Sequence, residues 1–134
     1  MSNKRYVVLL LLLYLPGIGS ANTVDDLLKE YQANGAVHFS EKNGEKMWLT
    51  DHPDPKKPGK VRNCSICHGK DLTAKGKHVK TGKVIDPIAP SVNSERLTDR
   101  KFIEKWFKRN CKWVLGRKCT VQEKGDFLMY LRNN

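Results

Sequence analysis

The run Cys64-Ser65-Ile66-Cys67-His68 constrains this chain more than any other stretch of it. Two thiols three positions apart, with a histidine directly after the second, form the C-x-x-C-H pattern that attaches a c-type haem. The spacing has a chemical reason. The two thiols add across the vinyl groups on one edge of a porphyrin, and the short segment between them carries the next side chain beneath the ring. A histidine there can present an imidazole nitrogen to the iron as proximal ligand. Cys64 and Cys67 are therefore the expected covalent anchors and His68 the expected metal ligand. The pattern occurs once, so one haem c is expected.

The N-terminus reads as an export signal. Lys4 and Arg5 begin it, Tyr6 to Leu15 is an unbroken apolar run, Pro16 and Gly17 end the run, and Gly19-Ser20-Ala21 offers small residues for cleavage. Ten apolar residues fall short of the roughly 20 that span a bilayer, so residues 1–21 are expected to be cleaved and to leave no stable membrane anchor. No cysteine follows the run to take a lipid. Export suits haem c, which bacteria attach outside the cytoplasm, so the expected location is the periplasm. Residues 22–134, 113 in all, are expected to form a single monohaem domain.

Losing Lys4 and Arg5 leaves 23 Lys and Arg against 14 Asp and Glu, a formal charge of +9. A basic excess points to nucleic acid, an anionic membrane surface or an acidic protein. Export disfavours nucleic acid, and Lys70, Lys75, Lys77, Lys80 and Lys83 are scattered without the aromatic interleaving of a stacking surface. A solvated basic face and an acidic docking partner are both left open.

The other two cysteines, Cys111 and Cys119, are separated by seven residues. In an oxidising compartment a disulfide is expected, contributing about 2.6 kcal/mol in the chain-entropy model. A pooled four-cysteine zinc site is the alternative, but structural zinc pairs sit two to four residues apart. A thioredoxin-type redox pair is also disfavoured, because the C-x-x-C lies in a Pro- and Lys-rich loop with no preceding strand and gives His68 no task.

Periodicity along the chain gives helices and loops, an all-α reading. Thr23 is placed to cap a helix running to about Gln32, with Asn34-Gly35 ending it. Ser40 is placed to cap another through Leu49. His52 to Lys60, with three prolines, and Gly69 to Pro90 both read as loops, the second unusually long. Thr98-Asp99 opens a helix whose Phe102, Ile103, Trp106 and Phe107 form one apolar stripe, expected to be mostly core. Thr120-Val121-Gln122-Glu123 is a capping box that opens the last helix.

Gly44-Glu45-Lys46-Met47-Trp48, twenty residues ahead of the haem motif, resembles the N-terminal helix of the class I cytochrome c fold. There a glycine lets that helix cross a C-terminal one, here Gly125 to Tyr130. A methionine usually completes the iron coordination in that fold from the intervening loop, yet residues 69–119 contain none. Met47 and Met129 read as core, and His78 as a surface residue.

A closer resemblance rests on Pro87-Ile88-Ala89-Pro90-Ser91, Arg96-Leu97-Thr98-Asp99, the run Glu104 to Cys111 and Gly116-Arg117-Lys118-Cys119-Thr120, with Cys64 to Lys70 and Gly82-Lys83. Across residues 40–131 the chain resembles the Sphaeroides haem protein family, small exported monohaem cytochromes c. The resemblance implies a Cys111–Cys119 disulfide, His68 as proximal ligand and Asn110 as ligand to ferric iron. It also implies binding of oxygen or nitric oxide at ferrous haem, and electron exchange with a dihaem or multihaem cytochrome c. An amide oxygen is a hard, weak donor that suits Fe(III) better than Fe(II), so reduction should release Asn110. Two functions fit: a gas-responsive cytochrome, which binds, senses or reduces oxygen or nitric oxide and so could be an oxidoreductase, and a simple electron-transfer cytochrome c whose open ferrous site is incidental.

Overall fold

The computed structural model describes residues 22–134; the leader expected over residues 1–21 lies outside the described residues. Five helices follow in order: α1 (Thr23–Ala33), α2 (Glu41–Leu49), α3 (Ser65–His68), α4 (Arg100–Leu115) and α5 (Val121–Arg132). Local chemistry accounts for most of their starts. Ser40 accepts the Asn43 N–H at the head of α2, Asp99 accepts the Phe102 N–H at the head of α4, and the Thr120–Glu123 box closes reciprocally on α5. At α1 the capping residue is Asn22, whose side chain accepts the Val24 N–H. Thr23 instead donates its hydroxyl to the Thr98 carbonyl, fastening α1 to the approach to α4.

Short antiparallel pairings flank or fall within the two stretches expected as loops. β1 (His52–Pro53) pairs with β2 (Val61–Arg62), and β3 (Gly76–Lys77) pairs with β4 (Val84–Ile85). Two residues per strand leave no alternation for a sequence to display. The long segment from Gly69 to Pro90 is also pinned. Ile88 and Ala89 both donate to the Leu72 carbonyl, and Arg96 donates to the carbonyls of Asp86 and Pro87.

Two buried clusters meet along α5. One gathers Val24, Leu27, Leu28 and Tyr31 of α1 with Ile103 and Leu128. The other joins Trp48, Leu72, Ala89, Cys111, Cys119, Phe127, Tyr130 and Leu131, with Cys64 packed against it. The stripe on α4 divides. Ile103 is buried and Phe107 partly so, whereas Phe102 is 44% and Trp106 38% exposed, contrary to the expectation of a mostly buried stripe. The helix turns the side bearing Ile103, Cys111 and Val114 to the core. Phe102 and Trp106 stack edge to face beside that side, with Arg109 over the Trp106 ring.

The crossing of α2 and α5 is the tightest feature. A methyl group on Gly44 would lie 2.2 Å from the Asp126 carbonyl oxygen and 2.8 Å from Tyr130 Cβ. The Asp126 carboxylate, buried in the same place, accepts from the Ser40 N–H at 2.7 Å and from Gln122. Glu104 of α4 makes a second tie, accepting from the Tyr31 hydroxyl of α1 and from Lys124 of α5 at 2.6 Å. Burial opposes its ionisation, but the hydrogen bonds from Lys124 and Tyr31 outweigh it and hold the carboxyl below its ordinary 4.5.

Two outcomes are expected. Gly44→Ala should lower the stability of the haem-loaded protein by about 1–3 kcal/mol, read as a fall in the urea midpoint. Because the folded value of Glu104 is depressed, its contribution is present above the ordinary carboxylate range and is lost as pH falls through the depressed value. Urea midpoints taken from about pH 6 to 3 should therefore decline less steeply in Glu104→Gln than in the parent; equal slopes would show that Glu104 carries no such linkage.

Candidate haem site

The motif is held from three directions. Asn63, only 8% exposed, accepts from the Ile66 N–H and the Ser65 hydroxyl, so it caps α3 from outside, and its amide donates to Asp51 at 2.6 Å. Trp48 of α2 donates its indole N–H to the Gly69 carbonyl at 3.0 Å, just past the motif. Its ring also lies 5.4 Å from that of His68 and 6.1 Å from that of Tyr130. From the third side comes the β3–β4 hairpin: a methyl group on Gly76 would stand 2.2 Å from the Cys67 carbonyl oxygen and 2.9 Å from His68 Cα.

The thiols and the imidazole have the chemistry a covalent haem needs. Cys64 and Cys67 are unbridged. Burial, reinforced by the neighbouring Cys67, pushes the Cys64 thiol up to about 12. That opposes a zinc thiolate or a low-pKa redox pair, both of which need the anion, and costs nothing to a neutral thioether. Burial, with the positive charge of Arg96, pushes His68 down to about 4, so the ring is neutral as ligation of a metal requires. Among the described residues Arg62 Nε is the one buried side-chain nitrogen or oxygen without a hydrogen-bond partner. It lies on β2, two residues before Cys64, a spare donor of the kind that carboxylate-bearing haem edges can use. The residues present fit the group, with Cys64, Cys67 and His68 as those that would hold it.

The second cysteine pair is bridged: Cys111 and Cys119 form a disulfide with Cα atoms 5.5 Å apart. This rules out the pooled zinc site, and among the described residues no group of three or more His, Cys, Asp or Glu gathers as for a metal ion. The disulfide joins α4 to the segment that enters α5, and Cys64 packs against the cluster containing both of its residues. Asn110 immediately precedes it, half-buried near the end of α4. His78 is engaged elsewhere, its Nδ1 turned to the Thr81 hydroxyl and N–H within the hairpin turn. Met47 and Met129 pack against the two cores.

Sequence reading missed two supports of this arrangement. Arg62 donates to the Trp113 carbonyl at 3.0 Å and to Asp54 at 2.7 Å, and its guanidinium lies 5.0 Å over the Trp113 ring. It thereby clamps the strand entering the motif to the last turns of α4, where Asn110 stands. Its partner is 51 residues away in sequence, so nothing local marks it. Asn63 did leave a signal, since asparagine just ahead of a short helix is a capping residue.

A family model described as a domain of unknown function, DUF1924, matches residues 34–131. The cytochrome c-type protein SHP of Cereibacter sphaeroides is 35% identical over 127 residues, covering 95% of this chain and 96% of that protein. A structure of oxidised SHP, described as an oxygen-binding cytochrome c, superposes with a TM-score of 0.73 at 36% identity, over 83% of this chain and 96% of the other. The solution structure of cytochrome c'' from Methylophilus methylotrophus, described in terms of haem-ligand detachment, gives 0.70 at 32% identity, over 83% and 93%. Likeness in sequence along nearly the whole length and in fold leads to one conclusion: this chain belongs to the Sphaeroides haem protein family of class I-like helical cytochromes, and its cofactor is a c-type haem with its iron.

Proposed function

We propose that the chain is a periplasmic monohaem cytochrome c, freed of residues 1–21, that exchanges electrons with a redox partner and binds a diatomic gas, oxygen or nitric oxide, after release of Asn110. The observation that carries this reading is the position of Asn110. It sits half-buried beside the Cys111–Cys119 bridge, on the helix that Arg62 clamps to the strand entering the His68 motif. When bound, haem c supplies one-electron chemistry at its iron and a place for a gas when one axial position is free.

The protein's part is to hold an imidazole firmly and an amide loosely. His68 is fixed by the Asn63 cap, by the packing of Trp48 and by the hairpin backbone at Gly76. Asn110 offers a hard, neutral oxygen that favours the ferric state. The disulfide next to it limits backbone movement, so letting go is a swing of one side chain and not an unfolding of α4. The oxygen binding and ligand detachment described for SHP and cytochrome c'' support such a reading. A dihaem or multihaem cytochrome c is the proposed electron partner. Reduction of the bound gas would make the chain an oxidoreductase; that extension needs a proton donor near the open position.

Absorption spectra test it. The reduced parent should show a five-coordinate, high-spin ferrous haem whose spectrum shifts on adding carbon monoxide. Asn110→Met should give a low-spin ferrous spectrum that carbon monoxide no longer changes. A variant that takes up the gas as the parent does would exclude Asn110 as the ligand, and a low-spin parent indifferent to the gas would favour the simple electron carrier.

A further inference from the structure

The basic excess of this chain is not spread evenly. Along α4, Lys101, Lys105, Lys108 and Lys112 follow one another by four, three and four residues, which at 3.6 residues per turn makes one stripe from end to end of the helix. All four are exposed, as is Lys118 just beyond. Lys101, Lys105 and Lys108, with Lys118, Lys124 and the engaged carboxylate of Glu104, line a groove of about 530 Å³ that reaches Cys119 of the disulfide. By the same helical geometry the stripe is on the side of α4 opposite Asn110, and the aromatic pair Phe102 and Trp106 is not part of it.

The carboxylates nearest the stripe are already engaged. Glu104 is bound by Lys124 and Tyr31, and Glu123 is held by a two-pronged contact from Arg117. Among the described residues Lys101, Lys105, Lys108, Lys112 and Lys118 form no ion pair. The arrangement costs the helix stability. Successive lysines three or four apart on one helix face repel one another. A face that served solubility alone would intersperse both signs.

We infer that the Lys101–Lys112 stripe, with Lys118, is the docking surface for an acidic face of the electron-exchange partner, which would seat against the back of the helix that carries Asn110. The inference rests on the electron-exchange reading above. It assigns the contact to α4 and not to the lysines of the 70–83 segment, which lie before and on the β3–β4 hairpin.

The test uses the haem-loaded mature protein in its ferric form and a reduced flavodoxin chosen for its acidic surface as electron donor. The triple variant Lys105→Gln, Lys108→Gln, Lys112→Gln should be reduced about tenfold more slowly at low salt, and the difference should vanish as ionic strength rises. A second triple variant, Lys75→Gln, Lys77→Gln, Lys80→Gln, should stay within about twofold of the parent. Matching absorption spectra confirm that no variant has a damaged haem site. An equal or larger loss in the loop variant, or no loss in the stripe variant, overturns the assignment. So does sedimentation with phosphatidylglycerol vesicles that the stripe variant abolishes while its reduction rate is unchanged, which would make the stripe a membrane contact. A parent that takes no electron from flavodoxin at any salt would overturn the electron-exchange reading itself, and the docking role with it.

Discussion

Everything at the haem site depends on how closely α2 approaches α5. The approach is possible because residue 44 has no side chain and the Asp126 carbonyl occupies the space a methyl group would take. Trp48, one turn further along α2, is thereby delivered to a point where a single indole touches the His68 ring, the Tyr130 ring and the Gly69 carbonyl. A tryptophan with its N–H satisfied and its ring in a buried cluster has little freedom. His68 consequently inherits its position from a helix crossing as well as from the short helix on which it lies.

Position 110 is supported differently. Asn110 belongs to a long helix whose core-facing residues, Ile103, Cys111 and Val114, secure it to the interior, while Arg62 and the disulfide secure its C-terminal end. The backbone around half-buried Asn110 is constrained at several points. Both residues thus stand on well-secured backbone, His68 beside the α2–α5 crossing and Asn110 beside the disulfide.

What the residues alone made legible was local. The caps at Ser40, Asp99 and Thr120 could be read because each involves neighbours within three positions, and the Gly44–Trp48 spacing could be read because a crossing glycine and its aromatic lie on one turn. Asn22 displaced Thr23 as the first cap because both residue types serve and only the packing of Thr23 on Thr98 decides. The half-exposed stripe on α4 was not legible: periodicity says which apolar residues share a side but not how much of that side is covered. Asn110 is the extreme case, since an asparagine near a helix end ordinarily signifies nothing more, and only its place in the Arg-Asn-Cys and Gly-Arg-x-Cys pattern singled it out.

The packing of half-buried Cys64 against the disulfide cluster has a consequence for the chemistry of its thiol. This thiol packs against the cluster that contains the Cys111–Cys119 bridge, and exchange between the two would destroy the bridge and consume an anchor for the cofactor. Exchange proceeds through the thiolate. A thiol pushed up to about 12 presents almost none of that species at neutral pH. The packing that surrounds Cys64 thus keeps this thiol out of the sulfur chemistry of the bridge beside it.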